Sequence, residues 1–201
     1  GEWFFKGTLE KEIKVTEKID IILLTQGLPD HCHAATLNQF SKYIHVICPQ
    51  SALKTLKGLG FSSIEVIKPS EKTTHLGIKI EATEGAPVPQ IENGYIIEHS
   101  EGSFYIEPHG FLDTKLRPKK LDAVITPTKN LELPLVGPFV KGADVLNDLI
   151  KYFNPNYILS STTGGEATFS GFLNKFIKVL EYEESTNCKL INLKSMETIK
   201  I

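Results

Sequence analysis

Asp30, His31, Cys32 and His33 stand together in the stretch "LLTQGLPDHCHAATL", just past an apolar run of Ile19, Ile21, Ile22, Leu23 and Leu24 and a Gly27/Pro29 turn. Carboxylate, imidazole and thiol are the donors that transition metals take, and the end of a buried strand is where α/β sheets place ligands. The same residues have a plainer use. Asp30 could cap a helix opening near Ala34, leaving the two histidines as solvated loop residues. Cys32 between two imidazoles is also a candidate thiolate nucleophile.

A second loop, "FYIEPHGFLD", carries Glu107 and His109 in a Pro/Gly turn after a strand. If the two loops face one another, Asp30, His31, His33 and His109 supply three or four ligands for a mononuclear zinc or iron site, with Glu107 as a catalytic base. The other reading is a turn whose histidine caps a carbonyl. A third stretch, "SSTTGGEATFSG", runs from a strand end through paired glycines, so that Thr162, Thr163, Gly164 and Gly165 form a candidate ligand-binding cradle for a phosphate or carboxylate. It is no P-loop, because no lysine follows the glycines, and a hydroxyl cap after a tight turn explains it equally well. His45, His75 and His99 occur singly and are expected in structural roles. No G-x-S-x-G elbow is present.

The elements that must position these residues alternate between short β-branched runs and amphipathic stretches, which predicts an α/β fold. Strands are expected at 19–25, 45–48, 123–126, 157–161 and 190–193, and helices at 34–43, 51–59, 142–153 and 169–180. Period-two alternation at 64–67, 76–82, 95–98 and 103–107 predicts an antiparallel meander. No linker or repeat divides the 201 residues, and one domain over 1–201 is expected.

Composition narrows the partners. The net charge is −2, from 22 Lys plus Arg against 24 Asp plus Glu, so nothing in the balance draws the chain to nucleic acid or anionic membrane. "KLRPKK" at 115–120 has no interleaved aromatics and reads as a solvated loop. No apolar run reaches the roughly 18 residues of a membrane span. Three cysteines, Cys32, Cys48 and Cys188, show no paired spacing and indicate a reducing, intracellular setting.

"LLTQGLPDHCH" resembles the metallo-β-lactamase superfamily signature T-H-x-H-x-D-H, with Thr25 first and Asp30 and His31 last. Gln26 and Leu28 stand at its first two histidine positions. The likeness continues in "NGYIIE", "GSFYIEPHG" and "DAVITP", although Glu107-Pro108-His109-Gly110 replaces the usual G-D-T-G turn and Ser161-Thr162-Thr163-Gly164 replaces a late histidine. It spans roughly residues 3–176 and is nearest to a divergent branch of plants and cyanobacteria, which implies a plastid or the cytoplasm of a photosynthetic organism. It implies an αββα sandwich with the site at the sheet edges, and a degenerate metal motif holding no metal or one weakly bound zinc or iron ion. Well below one equivalent of zinc per chain is the corresponding expectation. The alternatives are a metal-dependent hydrolase with a rearranged mononuclear site, acting on a small molecule, and a small-anion or ligand-binding module.

Two expectations concern arrangement. His109 and His31 should share a cleft, because the strands they follow end at one sheet edge in the superfamily. Only about two dozen residues precede the motif, so the chain looks truncated at its N-terminus. Trp3, Phe4 and Phe5 should then pack onto the uncovered sheet, or two chains should pair through it as a homodimer.

Overall fold

The computed structural model describes residues 6–9, 18–87, 92–133, 137–161, 167–170, 176, 178–181, 188–193 and 197–200. Trp3, Phe4, Phe5 and the 162–165 cradle lie outside these residues. The chain divides into two compact units, Lys14–Glu101 and Gly1–Ile13 with Gly102–Ile201. The first strand, β1 (Lys6–Leu9), belongs to the second of them.

In the unit Lys14–Glu101, β2 (Ile21–Leu23), β3 (His45–Cys48) and β4 (Ile64–Val66) form a parallel sheet in which Ile22 faces Val46 and Val46 faces Ile64. Parallel neighbours require crossovers, and α1 (Ala34–Leu37) and α2 (Leu53–Gly58) lie in the two connections. Val46, Ile47 and Cys48 are all fully buried, as expected for a parallel strand covered on both faces. Leu24, Leu37, Ala52, Leu56 and Phe61 complete the core around them. Complete burial of one such leucine contributes roughly 1.5–3 kcal/mol.

The helix expected over 34–43 stops at Leu37, and Tyr43 is 85% exposed. Asn38 and Ser41 explain the stop. Such side chains compete for backbone groups, and the Tyr43 N–H lies 3.4 Å from Ser41 Oγ.

The rest of this unit is antiparallel: β5 (Lys72–His75), β6 (Ile78–Glu84) and β7 (Asn93–His99). The β5–β6 hairpin turns through Leu76 and Gly77, both at positive φ, the backbone a two-residue hairpin demands. Residues 64–67 do not join this meander. They follow the α2 crossover and so enter the parallel sheet.

In the other unit, β8 (Gly102–Ile106) and β9 (Ala123–Thr126) are parallel, with Tyr105 facing Val124. Next in chain order come β10 (Lys129–Leu133), β11 (Gly137–Lys141), α3 (Gly142–Phe153) and β12 (Tyr157–Ser160). β12 lies parallel to β9, and β15 (Lys189–Ile191) lies parallel to β12. Helix α3 buries Leu146, Leu149 and Phe153, and the Phe153 ring stacks on Tyr105 at 4.8 Å. It ends at Asn154 in the left-handed conformation, a usual helix stop.

Of the helix expected over 169–180, residues 171–175 and 177 lie outside the described residues, while 169–170 fall in β13 (Ala167–Ser170) and 178–180 in β14 (Lys178–Glu181). β13 pairs with β1 and β14 with β10, both antiparallel. At both ends of the range, strand partners far away in sequence outweigh local helical spacing. Among the described residues, no helix is long and apolar enough to cross a membrane.

Candidate metal centre

Pairing continues one residue past β2, where the Leu24 N–H donates to Ile47 O at 2.9 Å. The segment is then clamped from β7: Asn93 N–H donates to Thr25 O at 2.9 Å, and the buried Tyr95 hydroxyl donates to Leu24 O at 2.7 Å. This clamp brings Glu92 to Gln26. Both are fully buried, and the Gln26 amide NH2 donates to a Glu92 carboxylate oxygen. Gln26 Oε1 has no hydrogen-bond partner among the described residues. A buried amide oxygen without a protein partner is uncommon in folded proteins.

Gly27 lets the chain turn here. A Cβ at that position would lie 2.2 Å from Ser51 O, so only glycine fits the approach, and its N–H reaches Ser51 Oγ at 3.1 Å. Backbone bonds from His31 N and Cys32 N to Leu28 O close the following turn and return His31 to Thr25, with Nδ1 3.2 Å from Thr25 Oγ1. His31 Nε2 is 3.6 Å from the exposed Asp30 carboxylate. His31 and Glu92 offer ligand atoms within 4.8 Å of one another. His33 points elsewhere. It is exposed, and its Nδ1 meets Thr36 Oγ1 at 2.9 Å. Cys32 is buried, and that burial pushes its thiol up, away from the thiolate a nucleophile needs.

In the other unit, Glu107 N–H donates to Ile125 O at 3.1 Å, carrying the pairing past β8. Glu107 Oε2 accepts from the backbone N–H groups of His109 at 3.1 Å and Phe111 at 2.7 Å, so one carboxylate oxygen shapes the turn that presents His109. Lys141 N–H donates to His109 O at 2.9 Å. Gly110, at φ +75°, brings the turn against the start of α3, where a Cβ would lie 2.6 Å from Gly142 N. Lys115, Arg117 and Lys120 are exposed, in keeping with a solvated loop. His45 sits between Ser63 Oγ at 2.9 Å and Glu65 at 3.0 Å and stacks on His75, tying strand ends together.

Glu92 is the residue that motif reading passes over. Its one signal is an acidic side chain abutting "NGYII", a run otherwise bound for the core.

A model of the Beta-lactamase superfamily domain matches residues 5–161. The chain belongs to that superfamily. No curated protein matches it. Solved superfamily-type structures do. CmlA, a diiron beta-hydroxylase from Streptomyces venezuelae, is 14% identical with a TM-score of 0.59 over 76% of this chain and 37% of that one. The isothiocyanate hydrolase from Delia radicum gut bacteria is 18% identical with a TM-score of 0.57, covering 71% and 62%. A possible metal-dependent hydrolase from Veillonella parvula is 15% identical with a TM-score of 0.55, covering 71% and 61%. The chain thus spans between 37% and 62% of the length of these three structures. At such identities the likeness establishes the fold, a mixed α/β metallo-β-lactamase type, and that fold houses both hydrolases and a hydroxylase.

Proposed function

We propose that this superfamily member holds one divalent metal ion, zinc or iron, with His31 and Glu92 among its ligands, and acts with it as a hydrolase on a small molecule. The observation that carries the reading is the buried Gln26–Glu92 pair, with its partnerless amide oxygen and with Glu92 within ligand reach of His31. A buried carboxylate is a strong donor to a cation, and coordination is one way its charge is offset in the interior. Imidazole and carboxylate donors suit either ion.

A divalent ion bound there supplies Lewis acidity and a more acidic water. The remaining work falls to the chain. Glu92 would offset the charge, and His31 would offer the ring nitrogen that does not face Thr25. Asp30, 3.6 Å from that nitrogen, can trade the contact for a shared ion. Gln26 and Leu28 stand where the superfamily signature has histidines, which favours one metal over two and makes the motif degenerate without emptying it. Glu107 keeps a structural part through its turn, and a role as base requires its second oxygen.

Cobalt(II) titration tests the reading directly. Visible absorption bands should saturate at one equivalent in the wild type and disappear in His31→Ala and Glu92→Gln. Absence of any bands in the folded wild type contradicts it.

A further inference from the structure

Thr25 and Gln26 are consecutive, and each touches one metal donor of its own unit. Thr25 Oγ1 lies 3.2 Å from His31 Nδ1. A metal-ligating histidine commonly gives its other ring N–H to a neighbouring acceptor, which fixes the tautomer and the ring plane. Gln26 does the matching thing for the carboxylate. Its NH2 must face Glu92, because the flipped amide would set two acceptors against each other. Neither side chain is placed by chance: the Thr25 carbonyl is held by Asn93 N–H, and Gln26 is fully buried.

We propose that Thr25 and Gln26 are positioning residues for the metal centre, Thr25 fixing His31 so that Nε2 is the donor and Gln26 holding one oxygen of Glu92 so that the other is presented. This rests on the metal reading above. In this tautomer the Thr25 oxygen accepts from Nδ1–H, and Nε2 is the ring nitrogen with the lone pair a metal ion needs.

The test is a chelator-competition zinc titration on the full chain, with Thr25→Val, Thr25→Ser and Gln26→Met beside the wild type. Loss of such an outer contact typically weakens metal affinity about 10–100-fold, and we expect that range for Thr25→Val and for Gln26→Met. Thr25→Ser keeps the hydroxyl and should restore affinity to within about 3-fold of the wild type, as the 10–100-fold loss belongs to the missing acceptor. Nitrogen-detected NMR of the metal-free protein, above the imidazole titration range, should show His31 protonated at Nδ1 in the wild type and in Thr25→Ser, and a tautomer mixture in Thr25→Val. Wild-type zinc affinity in Thr25→Val with an unchanged tautomer overturns the positioning role and leaves the metal reading standing. A wild type that binds no zinc overturns the metal reading, and this inference with it. If Thr25→Val does not fold, Thr25→Ser decides: a His31 ring in the other tautomer there overturns the proposal.

Discussion

Burial sets the chemistry of the sulfur atoms. The Cys48 thiol is pushed up to about 12 by burial, with its neighbour Cys32 adding to the effect, and Cys32 is raised by its own burial. A thiol harder to ionise in the fold than in the unfolded chain leaves stability intact below about pH 9. Above that, the unfolded chain ionises first and stability falls as pH climbs toward 12. We expect the denaturant midpoint to drop steeply between these limits, and Cys48→Ala to flatten the drop. Native thiol titration should modify Cys188, which is half-buried, ahead of the other two. Fast reaction of all three cysteines would contradict this. Gly27→Ala belongs to the same scale. Its Cβ would meet Ser51 backbone at 2.2 Å, so the segment must shift, at a cost of about 1–3 kcal/mol or more, and zinc affinity should fall with it.

Helix α3 and the β8–β9 pair make the support under the His109 turn. Phe153 is fully buried against Tyr105, and Phe153→Ala should cost about 3–5 kcal/mol in a denaturant titration. Gly142→Ala should also destabilise, because a Cβ there would lie 2.2 Å from Pro127 O. A neutral Gly142→Ala would mean the helix start can slide. These elements also show where sequence periodicity suffices. Leu146, Leu149 and Phe153 recur at helical spacing over twelve residues, long enough to exclude a strand, and α3 has the bounds that pattern predicts. At 169–170 and 178–180 the same spacing misleads, since the pairing of β13 with β1 and of β14 with β10 depends on partners that no local window contains. The parallel pairing of β4 and β8 is hidden for the same reason: alternation reveals a strand and not its neighbour.

At the scale of the whole molecule the candidate site was only partly readable. Asp30 and His31 sit in one short motif beside a strand, so their types and spacing reveal them. Glu92 lies 66 positions from the Gln26 it bonds, and no pattern links the two until the backbone of β7 clamps the end of β2. Without Glu92, the surviving motif predicts little bound metal; with a buried carboxylate beside His31, one ion per chain becomes the expectation of the proposed reading. Elemental analysis of protein prepared without chelator, dialysed against a slight excess of zinc or iron(II) and then freed of unbound metal, tests this most directly. We expect close to one equivalent in the wild type and a small fraction of that in Glu92→Gln and in His31→Ala, all three melting cooperatively. Two equivalents in the wild type, or unchanged metal in a folded Glu92→Gln protein, would contradict the account.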